Sequence, residues 1–292
     1  MPRNKPAPTV RQRRLAGELL QLRADAGQTR EEVAESTGIN PATLYRIEHA
    51  RTRPQTRTLV ALLDAYGVTE PRRSELVTLN KQAAERGWLH TLASSLPEHY
   101  ASYIEFEGAA RAVRNYECLF IPGLCQTEDY ARAAIRGTLP GATREQIQNR
   151  VEARMRRQAI LTGEHPLELW AIVDEAALRR AVGGSQIMVE QMQKLREVSE
   201  LPNVTLQVIP YEAGAHPGMP GSFVVMDFPE SVGPSIVYIE SQAGDLFLEE
   251  EADIQRYNLV FEHLRAAAIS PDASASLVAK VAEEHQHPGR RA

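Results

Sequence analysis

Residues 28–53, QTREEVAESTGINPATLYRIEHARTR, constrain this chain more than any other stretch, because helix punctuation and apolar spacing agree throughout them. Thr29 is placed to cap a helix, and Glu32 three residues later completes a capping box, which satisfies two backbone donors reciprocally. Val33 and Ala34 are the apolar residues of that helix, and Gly38 ends it by accepting the positive φ that side chains resist. Asn40 caps the next helix, with Pro41 at the first helical position, where a missing N–H costs nothing. Leu44 and Ile47, three apart, face inward and leave Thr43, Tyr45, Arg46 and His49 to point elsewhere. The expectation is two short helices at a fixed crossing, the second free to lie in a DNA groove.

The flanks complete a five-helix domain over residues 10–82. Leu15, Leu19 and Leu22 recur at helical spacing before the motif. Leu59, Leu62, Leu63 and Tyr66 form a stripe after it, closed by Gly67, and Pro71 opens a further helix with Leu76 and Leu79. No cysteine or histidine cluster occurs here, so the core alone must hold this domain. Residues 1–9, with Arg3 and Lys5 among prolines, are expected to be a flexible basic tail, with a minor-groove arm as the alternative.

Charge separates the chain into two parts. Residues 1–82 hold 14 Lys+Arg against 9 Asp+Glu, a net of +5, whereas residues 83–292 hold 19 against 29, a net of −10. A basic amino-terminal part places the DNA-attracting field on the motif, and the acidic part is expected to face away from the duplex or to bind something else. The 43% hydrophobic content suffices for buried cores. Cys118 and Cys125, with six residues between them and no partner histidines, read as core thiols, and no metal or cofactor is expected. MPRNKPAPTV lacks a signal-peptide core and no apolar run reaches membrane-spanning length, so a cytoplasmic chain with reduced thiols is expected.

Reach and charge assign the DNA contacts. Phosphates are expected at the amino-terminal end of the 29–37 helix, at Thr29 and Arg30, where free N–H groups and the helix dipole favour anions. Asn40 does the same at the next helix, and Arg51 and Arg53 follow it in the basic loop. Base edges fall to Ala42, Thr43, Tyr45 and Arg46, with Arg46 read equally as a bidentate guanine reader or a phosphate clamp. Glu48, repelled by phosphate, is expected to pair with a cation inside the fold. Double-stranded DNA is therefore the expected partner, bound by a homodimer, since paired half-sites match a two-fold axis.

Residues 83–102 read as a connector in which Trp88 and Leu92 pack between domains. The rest, residues 103–284, reads as a mixed α/β (α+β) domain, so the fold class is two-domain: an all-α five-helix domain followed by an α+β one. Helices are expected at 103–113, 127–136, 142–161, 175–180, 186–199, 250–264 and 273–284. Extended runs are expected at 117–124, 167–173, 204–209, 222–228 and 235–240. Residues 285–292 read as a polar, disordered tail.

The first domain resembles the lambda-repressor-like, Xre-type helix-turn-helix family. The resemblance is carried by E-x-x-A (31–34), G-I-N (38–40), L-Y-R-I-E (44–48) and R-x-R-P (51–54). Two positions depart from it: Arg30 replaces the usual helix-opening glutamine, and Ala50 replaces the usual glycine after the recognition helix. The remainder resembles the carboxy-terminal domain of WhiJ-like, antitoxin-like actinobacterial regulators. That rests on IPGLCQTEDYAR (121–132), R-x-x-R-Q-x-x-L (154–161), DEAALRRAVGG (174–184), PNVTLQVIP (202–210) and GSFVVMDF (221–228). Cys125 stands where that family usually has leucine. The resemblance implies a transcriptional regulator working with a small protein partner encoded nearby.

Two other classes of function have some footing in the sequence. In a one-component regulator, the second domain senses a small molecule, and the Gly- and Pro-rich residues 211–221 border its pocket or form a plain surface connector. An enzyme would draw on Asp174 and Glu175 with Arg179, Arg180 and His216, but no catalytic motif accompanies them. Asp174 equally suits a helix N-cap, with Arg179 and Arg180 at that helix's far end, and no enzymatic activity is expected.

Overall fold

The computed structural model describes residues 10–82, 96–230, 232–242 and 244–287. Two compact units emerge, one of Met1–Ala109 with Phe228–Pro234 and the other of Ala110–Asp227 with Ser235–Ala292. The fold is the expected two-domain arrangement, a helical unit and an α+β unit.

The helical unit contains α1 (Val10–Asp25), α2 (Arg30–Thr37), α3 (Pro41–Glu48), α4 (Thr56–Ala65) and α5 (Arg72–Gln82), followed by α6 (Glu98–Ala109). Leu15, Leu19, Val33, Leu44, Ile47, Leu59, Leu62, Leu63, Tyr66 and Leu76 close into one core, with Leu22 and Leu79 packed at its edge. The punctuation works as the sequence implies. Thr29 Oγ1 accepts from the Glu32 N–H while the Glu32 carboxylate accepts from the Thr29 N–H at 2.7 Å. Gly38 closes α2 at φ 71°, and Asn40 Oδ1 accepts from the Ala42 N–H at 2.8 Å to open α3.

Buried in this unit, the Glu48 carboxylate is fully covered and receives two guanidinium groups, Arg23 Nε at 2.6 Å and Arg30 Nε at 2.7 Å. The Arg23 fork adds a bond to the Gln28 carbonyl at 2.8 Å, so one side chain ties α1, the turn before α2, and α3. Tyr66 lies close enough that burial, together with the Glu48 charge, pushes its phenol up to about 12 and keeps it neutral. Arg13 is also buried, its guanidinium over the rings of Phe106 and Phe228 at 5.6 and 5.3 Å, with a bond to the Pro234 carbonyl at 3.1 Å.

The carboxyl end of α3 carries the departure from glycine. The Ala50 N–H donates to the Ile47 carbonyl and the Arg51 N–H to the Arg46 carbonyl at 2.7 Å, a Schellman closure. That closure requires a left-handed residue, and Ala50 adopts φ 54°, the one non-glycine with positive φ among the described residues. A Cβ there costs on the order of 1 kcal/mol. We therefore expect Ala50→Gly to raise the unfolding free energy measured in urea by up to about 1 kcal/mol, with a higher midpoint, and Ala50→Val to lower it by more than that. Equal midpoints for all three proteins would show that the turn carries no strain.

The α+β unit is built on a six-stranded sheet in the order β3-β2-β1-β4-β5-β6. Its strands are β1 (Ala112–Glu117), β2 (Glu168–Asp174), β3 (Val204–Ile209), β4 (Phe223–Asp227), β5 (Ile236–Ile239) and β6 (Leu246–Leu248). β1, β2 and β3 run parallel, with Tyr116 opposite Ile172 and Asp174 opposite Ile209, and β4, β5 and β6 join antiparallel. The helices are α7 (Glu128–Thr138), α8 (Arg144–Arg157), α9 (Glu175–Arg179), α10 (Ser185–Ser199), α11 (Glu251–Ala267) and α12 (Pro271–Gln286). One sheet face buries Tyr116, Ile172, Ile209, Phe223, Val225 and Val237 against Phe261 and Leu264 of α11. Residues of the other parity, Ala171, Val173, Val224 and Met226, are buried too, as a parallel-centred sheet covered on both faces requires.

Four expectations need correction. The helix placed at 103–113 runs over Glu98–Ala109 instead, taking in residues 98–102 assigned to the connector. The strand placed at 117–124 is β1, Ala112–Glu117, and the chain then bends into a 3₁₀ turn at Gly123–Cys125. Strand pairing decides this: β1 hydrogen-bonds on both sides, and Val113 and Tyr116 are buried by it. β6 was missed, since three residues are too few to show a period of two. Finally, residues 285–286 belong to α12, where His285 is buried one turn past Val281 and its Nε2 lies 2.9 Å from the Leu178 carbonyl oxygen. The proposals for Arg3, Lys5, Trp88, Leu92 and residues 288–292 lie outside the described residues.

Candidate nucleic-acid interface

Burying Leu44, Ile47 and Glu48 turns the opposite face of α3 outward, so that Ala42, Tyr45 and Arg46 are exposed and Thr43 half-buried. Arg46 donates to Thr43 Oγ1 at 3.0 Å, which aligns two candidate base readers along one edge of the helix. Tyr45 is the centre of a second group. The Arg30 guanidinium lies 5.2 Å from its ring centroid, that of Arg51 5.5 Å, and the His49 ring stacks on it at 3.9 Å. Cation–π contacts at exposed sites contribute roughly 0.5–1 kcal/mol each, enough to bias two arginines toward one place without removing them from solvent.

The remaining candidates take separate positions. Thr29 is exposed, but its hydroxyl is engaged in the capping box, and that box holds the Glu32 carboxyl below its usual range. Asn40 is exposed while capping α3. Arg30 spends its Nε on Glu48 and keeps 31% of its side chain exposed. Arg53 is not part of the Tyr45 group: its guanidinium donates to the Asn80 carbonyl at 3.0 Å, and Asn80 in turn donates to the Pro54 carbonyl. His49, which stacks on Tyr45, is read from the sequence as outward-facing but is given no DNA contact there. Its signal was the i, i+4 spacing of Tyr45 and His49, which puts two rings on one helix face.

A family model described as a helix-turn-helix domain matches residues 14–76, and one described as a domain of unknown function, DUF5753, matches residues 100–280. The chain belongs to the DUF5753 family. Its helix-turn-helix domain makes it a DNA-binding regulator. No curated protein and no solved structure matches the chain. Among the described residues no helix is long and apolar enough to cross a membrane, and no group of three or more His, Cys, Asp or Glu is placed to hold a metal ion.

In the DUF5753 region the acidic pair at the end of β2 is engaged in the fold. Asp174 Oδ1 caps α9 through the Ala176 N–H at 2.8 Å. Glu175 accepts from Arg179 Nε at 2.6 Å and from the Tyr211 N–H at 2.9 Å. His216, read as a lone loop histidine, is instead nearly covered and sits 3.2 Å from Asp174 Oδ2, edge-on to the Tyr116 ring. Gly218 lies so close to that ring that a Cβ would stand 2.5 Å from it, so the 211–221 loop is fitted tightly over the end of β1. Both cysteines are free thiols, Cys125 buried and Cys118 Sγ 3.4 Å from Ser222 Oγ.

At that same end of β1 stands Glu117. Burial pushes its carboxyl up to about 7, with Ser222 and Asn115 bonding against the shift, Glu240 adding to it and Arg154 opposing it. The folded group thus holds its proton to a higher pH than the unfolded one, whose value is 4.5. Its contribution is fully present below pH 4.5 and is lost as pH rises through 7. Glu117→Gln should remove that loss, gaining roughly 2 kcal/mol over wild type at pH 8 and little at pH 4. Urea unfolding at the two pH values checks this; a variant less stable at pH 8 would contradict it.

Proposed function

We propose that the chain is an Xre-type, sequence-specific transcriptional regulator that binds operator DNA as a cytoplasmic homodimer through α3. The observation that carries this reading is the outward face of α3, with Thr43 and Arg46 joined along one edge and Arg30, Tyr45, His49 and Arg51 grouped beside it. In this reading Ala42, Thr43 and Arg46 enter the major groove, while Arg30, Arg51, Arg53 and the amino-terminal ends of α2 and α3 at Thr29 and Asn40 hold phosphates. The acidic region, antitoxin-like by its resemblance, binds a small protein partner encoded nearby, and that binding controls occupancy of DNA. It works without a cofactor and without catalysis; the assignment of Asp174 and Glu175 to a helix cap and an ion pair supports this.

Operator binding by fluorescence anisotropy at several salt concentrations separates the roles. Arg51→Ala should weaken binding to every duplex alike and lower the salt slope by about one counterion. Arg46→Ala should cost about 1–3 kcal/mol on the operator and far less on unrelated DNA. A protein whose affinity is indifferent to sequence, before and after the Arg46 change, would refute the specificity claim.

A second reading, a regulator answering to a small molecule, is favoured by one feature, the arginine-lined cleft of the acidic unit.

A further inference from the structure

Between α7 and α8 lies an open cleft of about 620 Å³, lined by Arg132, Arg136, Arg144, Glu145, Ile147 and Gln148. That volume falls in the range of small-molecule sites, roughly 300–1,000 Å³. Three guanidinium groups meet one carboxylate there, within a part of the chain whose net charge is −10. Arg132 is held in place, donating to Gln148 Oε1 at 2.7 Å and to Glu128 Oε1 at 2.5 Å. Arg136 and Arg144 make no ion pair among the described residues.

Helix electrostatics sharpen the point. Arg136 stands in the last turn of α7, where the dipole favours a cation. Arg144 is the first residue of α8, where the dipole opposes one, and its neighbours across the cleft are two more cations. Glu145, in the same first turn, is the one carboxylate lining the cleft against three guanidinium groups, so a bound anion would offset the remaining positive charge. Guanidinium forks bind phosphate oxygens in pairs, and Ile147 supplies an apolar surface for the rest of a ligand.

We propose that this cleft binds a phosphate-bearing small molecule of nucleotide size, its phosphate held by Arg136 and Arg144 with Arg132 behind them. The site lies apart from α3 in sequence and needs none of the residues assigned to DNA, so its occupancy can be tested while operator binding is followed separately. A DNA backbone bound by these arginines is the outcome that would displace this assignment.

The test is calorimetric titration of the full chain with adenosine monophosphate, with adenosine and inorganic phosphate as comparisons and a 12-base-pair duplex of unrelated sequence as competitor. Saturable binding of the monophosphate, weakened at least tenfold in Arg136→Ala/Arg144→Ala and absent for adenosine, supports the site. In that variant operator affinity should stay within twofold of wild type, which separates this site from the DNA interface. Perturbation of the Ile147 methyl resonance by the monophosphate in the unaltered chain supplies a readout that needs no substitution. Absent saturation, affinity unchanged in the double variant, a still Ile147 methyl, or binding of the duplex alone to these arginines would each overturn the proposal.

Discussion

The helical unit turns on one buried carboxylate. Glu48 is the last residue of α3, has no exposed side chain, and is gripped by Arg23 from α1 and Arg30 from α2. Removing an anion from water is costly, and two short charge-assisted bonds offset that cost only when the donors arrive in register. The same pairing fixes where Arg30 is, and Arg30 then lies against Tyr45 on the outward face. One interaction therefore links the interior, the crossing of the helices and the surface offered to DNA.

Much of this unit could be read before any coordinates. Thr29, Glu32, Gly38, Asn40 and Pro41 act locally, within a turn of themselves, and local rules locate them. The leucine stripes did the same for the core, and repulsion from phosphate suggested an internal partner for Glu48. The identity of that partner was not legible, because Arg23 and Arg30 reach Glu48 from 25 and 18 residues away. Where the helical unit ends, the boundary between α6 and β1 was not legible for a related reason. Residues 103–113 contain apolar residues at helical spacing, but β1 is fixed by pairing with β2 and β4, which lie far along the chain. His216 seemed isolated until the fold brought Asp174 and Tyr116 to it.

The two units divide the electrostatic labour. A net of +5 over residues 1–82 accompanies the helix-turn-helix, and the −10 remainder adds no general attraction to a duplex. Against that acidic background the arginines of the α7–α8 cleft stand out as a local reversal of sign. Such a reversal suits recognition of an anion that the surrounding field keeps dilute. The tightly fitted 211–221 loop and Glu117, whose carboxyl burial pushes up to about 7, stand together at the carboxyl end of β1.

The central claim is that the buried Glu48 bridge shapes the DNA-reading face. It is tested most directly by replacing Glu48 with glutamine, a neutral side chain of the same shape, and measuring operator affinity beside the urea midpoint. The account predicts a loss of about 2–3 kcal/mol in stability, discounted from the buried-pair value because Arg30 is partly exposed. It also predicts a fall in operator affinity at urea-free equilibrium, as Arg30 leaves Tyr45. Unchanged stability together with unchanged affinity would mean that the bridge organises nothing, and would contradict the account.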